Sequence, residues 1–96
     1  MPTLRKTRLS QEQFDAIARA VADPRRFAIL QQIARKPCLA CSALDEHNHI
    51  SPATISHHMK ELHEAGLVEV SREGRTASLT LRRDVWQAYV DSLASL

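Results

Sequence analysis

The spacing of apolar residues changes along the chain: it is helical over most of the sequence, alternates strictly over 68–81, and is helical again after that. Two early segments repeat apolar residues at every third or fourth position, which places them on one face of an α-helix. These residues are Phe14, Ile17 and Val21 in the first segment and Phe27, Leu30 and Ile33 in the second. Two amphipathic helices are therefore predicted in the first third of the sequence.

Residues that start and stop helices mark the bounds of both segments. Ser10 and Gln13 have the form of a capping box, in which the Ser10 hydroxyl and the Gln13 amide satisfy free backbone N–H groups. Asp23 is suited to cap the second helix, and Pro24 fits its first turn because proline has no N–H to leave unbonded. Pro37 stops that helix.

A third long helix is predicted over 51–65. Ser51 and Pro52 repeat the cap-then-proline pattern, and Gly66 is the expected left-handed terminator. The apolar stripe of this helix is narrow and has His58 at its edge. The stripe consists of Ile55, Met59 and Leu62, and the far side carries Ala53, Thr54, His57, Lys60 and Glu61.

Two alternating segments follow this helix. Val68 and Val70 alternate with polar residues, as do Ala77, Leu79 and Leu81. The turn between them, 72–75, contains a glycine, so the pattern predicts a β-hairpin.

The end of the chain returns to helical spacing. Asp84 is expected to cap a last helix, whose apolar stripe is wider than one small core needs. The stripe consists of Val85, Trp86, Tyr89, Val90, Leu93 and Leu96. This surplus of apolar surface favours a partner subunit.

The stretch between the second and third long helices is ambiguous. Leu39, Ala43 and Leu44 fit the buried side of a short helix within 38–47. The fold class is then mainly α with a β-hairpin wing, in the order α-α-α-α-β-β-α, which is a winged helix-turn-helix. We expect one such domain over 10–96, preceded by a flexible basic arm over 1–9.

Charge adds a weak indication of the partner. The chain has 96 residues and a net charge of only +2, so the placement of its cations matters more than their number. Cations occur in the arm, at the hairpin turn and after the second strand, where they suit phosphate contacts or are simply solvated. They are Arg5, Lys6 and Arg8, then Arg72 and Arg75, then Arg82 and Arg83.

Several classes of protein are disfavoured by what the sequence lacks. It has no apolar run long enough to span a membrane and no apolar core behind its first residues, so we expect no membrane partner and a cytoplasmic protein. It also has no glycine-rich phosphate loop and no nucleophile motif, so we do not expect an enzyme.

Three motifs resemble the ArsR/SmtB repressors. Residues 51–68, SPATISHHMKELHEAGLV, resemble that family's S-Q-P-T-V-S-H-H-L-K-x-L-x-x-A-G-L-V. Residues 20–30, AVADPRRFAIL, look like its A-L-A-D-P-x-R-x-x-I-L, and 72–75, REGR, like its R-x-G-R. The resemblance implies a bacterial homodimer, joined through its first and last helices. It also implies that the dimer represses a promoter and leaves it when an inducer binds.

The helix over 51–65 is then the recognition helix, which contacts operator DNA. Its expected contact residues are Ala53, Thr54, Ser56, His57 and Lys60. Methyl groups of Ala53 and Thr54 suit thymine methyls, hydroxyls and imidazole suit base edges, and Lys60 suits a phosphate or a guanine. In the wing, Arg72 and Arg75 are expected on the DNA backbone or in the minor groove. His58 is expected to pack in the core or to make a structural hydrogen bond, and a dimer would bind an imperfect palindrome.

Cys38 and Cys41 lie where the family places sensor ligands, but their C-x-x-C spacing departs from its E-L-C-V-C-D-L. Three interpretations stay open. The cysteines bind As(III), Zn or another thiophilic ion, with His47 and His49 as possible further ligands. Alternatively they form a reversible disulfide, or they are plain buried residues. Their position favours release of DNA by a thiol-reactive inducer. The last helix has no histidine, so no metal site is expected there.

Two other functions remain as alternatives. One is the same repressor without cysteine-based sensing. The other is a winged-helix protein-interaction module, against which the outward Thr54, His57 and Lys60 and the basic wing argue.

Overall fold

The computed structural model describes residues 7–36, 39–40, 51–74 and 76–96, which form four helices and a small antiparallel sheet. The helices are α1 Gln11–Ala22, α2 Pro24–Ala34, α3 Pro52–Glu64 and α4 Arg83–Ala94. The strands are β1 Leu39–Ala40, β2 Val68–Glu73 and β3 Thr76–Leu81. The predicted α-rich fold with a β-hairpin wing is confirmed.

The first two helices begin at the capping residues that the sequence predicts. Ser10 Oγ accepts a hydrogen bond from the Gln13 backbone N–H at 3.0 Å. Asp23 Oδ1 accepts from the backbone N–H groups of Arg25 and Arg26 at 2.9 and 3.1 Å. The bond from Arg26 is the largest cause that holds the pKa of Asp23 below its usual value. The caps therefore satisfy one free N–H group in the first turn of α1 and two in the first turn of α2.

The Gln13 side chain does not complete the predicted capping box. Its Nε2 instead donates to the carbonyl oxygen of Ala65 at 3.3 Å, at the end of α3. Carbonyls at the end of a helix lack intrahelical partners, so this acceptor is available once α1 packs beside α3. A tertiary contact has replaced a local one.

The predicted cap of α4 is wrong by two positions. Arg82 occupies the N-cap position without a side-chain bond to the helix, and Asp84 lies inside the first turn. The backbone N–H of Arg82 is still held by the hairpin, because it donates to the Leu67 carbonyl oxygen at 2.7 Å, one position beyond the pair of Val68 with Leu81. Asp84 still suits this place, because a carboxylate in the first turn interacts favourably with the helix dipole.

The sheet has the order β1-β3-β2, so β3 is its central strand. In the hairpin Val68 pairs with Leu81, and β1 adds on the other side of β3 with Leu39 opposite Leu79. The sequence did not predict β1, since two residues are too few to show an alternating pattern. Leu39 was expected in a short helix and lies in this strand instead; residues 41–47 of that predicted helix lie outside the described residues.

The core lies between the helices and the inner face of the sheet. Its fully buried residues are Ile17, Ile29, Ile33, Leu62, Leu67 and Leu79. Val85 and Tyr89 extend this core onto α4. The alternation in β2 places Val70 on the same side as the buried Val68, yet Val70 is 37% exposed. The reason is that β2 is the edge strand and leaves the core along its length.

Candidate nucleic-acid interface

The start of α3 is fixed by Ser51. Its Oγ accepts a hydrogen bond from the Thr54 backbone N–H at 3.2 Å and lies 2.8 Å from the Thr54 hydroxyl oxygen. The cap satisfies one of the free N–H groups of the first turn, as the sequence predicts. The Thr54 hydroxyl therefore has a local partner already, and any contact that it makes with a base is shared with the cap.

The outward face of α3 carries most of the predicted contact residues. The exposed ones are Ala53, Ser56, His57 and Lys60, whereas Thr54 is half-buried. On the inward face Leu62 is fully buried and His58 is only 4% exposed. The two neighbouring histidines thus differ as the sequence predicts: His57 lies at the surface and His58 lies in the interior.

The wing is formed by β2, β3 and the turn between them. Arg72 lies on β2 opposite Ala77 and is exposed. Gly74 in the turn has a φ of 58°, a conformation that glycine adopts without strain. Arg75, the second predicted wing contact, lies outside the described residues.

A groove of about 350 Å³ lies between α3 and the wing. Its lining residues are Ile55, Ser56, Met59, Lys60 and His63 from α3 and Val70, Arg72 and Leu79 from the sheet. Lys60 and Arg72 are far apart in the sequence, but they border the same groove. The fold therefore brings a cation of the helix and a cation of the wing onto one surface.

Arg82 and Arg83, which the sequence places among the free cations, are bound within the protein. Arg82 forms ion pairs with Asp84 at 3.1 Å and with Glu69 at 3.5 Å. The bond between the two side chains raises the pKa of Arg82 and lowers the pKa of Asp84. Arg83 Nη2 donates to the Ala34 carbonyl oxygen at 2.7 Å, at the end of α2. These cations join elements of the fold and are committed away from a phosphate.

Part of the predicted arm also contacts the domain. Thr7 Oγ1 donates to Asp84 Oδ2 at 3.0 Å, and Leu9 packs against the core. Arg8 between them is exposed. Arg5 and Lys6 lie outside the described residues.

A hydrogen bond between α2 and α3 could not be predicted from the sequence. Arg26 Nε donates to His58 Nδ1 at 3.3 Å, and Arg26 Nη1 lies 3.4 Å from the carbonyl oxygens of Arg19 and Ala20 in α1. Burial is the largest cause that lowers the pKa of His58, and the Asp23 carboxylate opposes it. Both partners stand in family-like motifs, but their separation in sequence hides the contact.

Apolar and aromatic side chains run across α1, α2 and α4. The ring centroids of Phe14 and Tyr89 are 5.1 Å apart, and Trp86 lies 5.9 Å from Tyr89 and 6.5 Å from Phe27. Phe14 and Trp86 are only partly buried, and Leu93 is 43% exposed. These helices therefore retain accessible apolar surface after the core is filled.

The candidate sensor residues Cys38, Cys41, His47 and His49 lie outside the described residues. Among the residues that are described, no group of three or more histidine, cysteine, aspartate or glutamate side chains could hold a metal ion. Within the same residues, none of the helices is long and apolar enough to cross a membrane.

The order of helices and strands, with the groove between α3 and the hairpin, defines a winged helix-turn-helix domain. Domains of this class bind DNA. Residues 21–71 match the family model described as a helix-turn-helix domain. That match covers more than half of the chain, including α2, α3 and most of β2.

Named relatives specify the family. The chain is 35% identical over 83 residues to YceK, an uncharacterized HTH-type transcriptional regulator of Bacillus subtilis (strain 168); the match covers 84% of this chain and 83% of YceK. It is also 35% identical over 66 residues to the arsenical resistance operon repressor of Staphylococcus xylosus, covering 69% of this chain and 62% of that protein.

A solved structure agrees with these relatives. It is the solution structure of a homodimeric winged helix-turn-helix DNA-binding domain from Mycobacterium bovis, a possible ArsR-family transcriptional regulator. It matches with a TM-score of 0.69 and 26% identity, over 93% of this chain and 90% of that one. The chain belongs to the ArsR/SmtB family of helix-turn-helix transcriptional regulators, which are DNA-binding proteins rather than enzymes.

Proposed function

We propose that this protein is a transcriptional repressor that binds an imperfect palindrome in operator DNA as a homodimer. The observation that carries the proposal is the shared groove, where Lys60 of α3 and Arg72 of the wing border one surface. A helix and a wing that present cations side by side suit adjacent phosphates of one duplex. The arsenical resistance operon repressor among the relatives supports repression as the outcome of binding. A regulator of this kind acts in the cytoplasm, where bacterial DNA lies.

In this proposal the N-terminal half of α3 enters the major groove. The helix has 13 residues and is therefore about 20 Å long. Ala53 and the Thr54 methyl contact thymine methyls, Ser56 and His57 bond base edges or phosphates, and Lys60 binds a phosphate or a guanine. Arg72 and Arg75 contact the backbone or the minor groove.

The proposed dimer forms through α1 and α4. Support comes from the accessible apolar surface there, including the partly buried Trp86 and the exposed Leu93. The M. bovis domain of the same fold is homodimeric. A two-fold dimer would place its two α3 helices in successive major grooves, so we expect half-sites about 34–36 Å apart.

The test begins by selecting a binding sequence from a pool of random duplexes, followed by sedimentation to measure the mass of the complex. The affinity is then measured against salt concentration. Phosphate contacts release counterions, so the affinity should fall with a log–log slope of about −0.9 per contact.

Matched variants assign that slope to residues. Lys60→Gln and Arg72→Gln should each flatten it by about one contact. Arg83→Gln is the control, because Arg83 is bound to Ala34 and should leave the slope unchanged. A slope near zero, or equal affinity for every duplex, would contradict operator binding and favour a protein-interaction module.

We further propose that a thiol-reactive inducer, either arsenite or a soft metal ion or an oxidant, releases the DNA by reacting at Cys38 and Cys41. What supports this is their position in the chain. They directly precede and follow β1, which pairs with β3 of the wing sheet. A disulfide between the two cysteines, or an ion bound by both, would constrain β1, which lies between them. Because β1 pairs with β3, the constraint would extend to the wing.

A further inference from the structure

His58 is the buried polar residue of α3. It is 4% exposed, and its Nε2 has no hydrogen-bond partner among the residues that the structure describes. Its other ring nitrogen, Nδ1, is bonded to Arg26. Buried polar atoms in proteins nearly always have a hydrogen-bond partner. His58 departs from this on the buried side of the proposed DNA-binding helix, since one of its two ring nitrogens is bonded and the other is not within the described part of the chain.

Arg26 is the residue at which three helices meet. From α2 its guanidinium reaches the last-turn carbonyls of α1 through Nη1 and His58 of α3 through Nε. Its backbone N–H is held by the Asp23 cap. The Arg26 side chain therefore ties the α1–α2 corner to α3 through His58, in addition to the bond between Gln13 and Ala65 at the end of α3.

The direction of this hydrogen bond sets the charge of His58. Guanidinium groups only donate, so Nδ1 must accept with its lone pair, and the ring must be neutral with its proton on Nε2. Protonation of Nδ1 would remove the acceptor and set two cations against each other in a buried place. The bond and a charged His58 are mutually exclusive.

We propose that the Arg26–His58 hydrogen bond is the positioning contact that holds α3 in its DNA-binding orientation, and that acid releases the operator by protonating His58. The proposal rests on the DNA-binding function proposed for α3, and it adds that binding requires His58 to be neutral.

The charges around His58 fix the pH range. Burial, Arg26, His57 and Arg25 lower its pKa, and Asp23 alone among its described charged neighbours raises it, with a net lowering from the usual 6.5. The unfolded chain therefore takes up this proton more readily than the folded chain. The stability that depends on neutral His58 is complete above pH 6.5 and is lost as the pH falls from there through the lower folded pKa.

The test measures affinity for the selected duplex from about pH 7.5 to 5 at constant salt. Because binding requires the neutral form, wild-type affinity should fall about tenfold per pH unit and per subunit below the pKa of His58. His58→Asn keeps an acceptor where Nδ1 stands but cannot titrate, so its affinity should stay level or rise in acid. His57→Asn alters a proposed DNA contact, so it is compared by the slope of its pH dependence alone: whatever its affinity at about pH 7.5, that affinity should still fall in acid as in wild type. An acid loss of equal size in wild type and His58→Asn would overturn the proposal.

A second measurement does not require DNA. The imidazole of His58 is titrated by NMR in wild type and in Arg26→Gln. Loss of the guanidinium removes both the bond that favours neutral His58 and a neighbouring cation, so the His58 pKa should rise. An unchanged titration would overturn the proposal even if His58→Asn fails to fold. If no duplex binds at any pH, the proposed function fails, while this titration still decides whether Arg26 and His58 are coupled.

Discussion

At the scale of single residues, Gly66 joins α3 to the wing. Its φ is +81°, where L side chains are strained, and the Gln13 amide lies directly over it. A Cβ at this position would stand 2.5 Å from Gln13 Nε2. The same Gln13 amide bonds the Ala65 carbonyl oxygen. The absence of a side chain at Gly66 therefore permits both the turn after α3 and the contact between α1 and α3.

Gly66→Ala should therefore destabilise the domain by about 2 kcal/mol, from backbone strain and from loss of the Gln13 bond. Gly74→Ala is the matched control. Gly74 has a φ of +58°, but a Cβ added there would meet nothing within 4 Å in the described part of the chain, so only strain of about 1 kcal/mol is expected. Urea unfolding of the two variants measures the difference. Equal losses would show that the Gln13 contact contributes nothing.

At the scale of elements, the helices differ in how much they depend on local signals. α1, α2 and α3 begin at side-chain caps, whereas α4 begins at Arg82 without one. The start of α4 is set instead by the end of β3 and by the ion pair of Arg82 with Asp84. Among the four helices that the structure describes, α3 is the one whose capped end lies in the proposed DNA interface.

This distinction predicts different outcomes for two serine caps. Ser51→Ala and Ser10→Ala each remove one cap and should each cost about 1 kcal/mol of stability. Ser51→Ala should also weaken operator binding by about fivefold, because a frayed first turn displaces Ala53 and Thr54. Ser10→Ala should leave the affinity unchanged, since its cap lies on α1. Calorimetry and DNA titration separate the effects, and an equal loss of affinity in both variants would refute this role of Ser51.

At the scale of the whole molecule, the domain has two surfaces with different chemistry. The groove between α3 and the wing is bordered by Lys60 and Arg72, whereas α1 and α4 carry aromatic side chains that the core covers only in part. A dimer through the second surface would leave the first free for DNA. The sheet links the proposed sensor region to the wing, because β3 pairs with β1 on one side and β2 on the other.

The proposed sensor is tested on the whole dimer bound to DNA. Arsenite, zinc and peroxide should each be tried, and at least one should release wild type. The double variant Cys38→Ser with Cys41→Ser should stay bound under the same treatment, because serine supplies no thiolate. DNA release is followed by fluorescence anisotropy of a labelled duplex. If wild type ignores all three reagents, the thiol sensor is wrong and the repressor uses another inducer.

Much of the fold was determined by the sequence alone. Helical spacing, the caps Ser10, Asp23 and Ser51, and the glycine turn at Gly74 act within a few residues of themselves, so they predict the same elements in any context. The outward face of α3 and the division between His57 and His58 follow from the same local geometry.

Tertiary structure decided what depends on residues far apart in the chain. The Gln13 amide bonds Ala65 and not the predicted cap, and Arg82 occupies the N-cap position of α4 that was predicted for Asp84. Val70 became exposed because β2 is an edge strand. The hydrogen bond between Arg26 and His58, and the placement of Lys60 and Arg72 on the border of one groove, required the packed helices and sheet. Long-range partners compete with local ones for each polar group, and only the folded chain shows which partner is near.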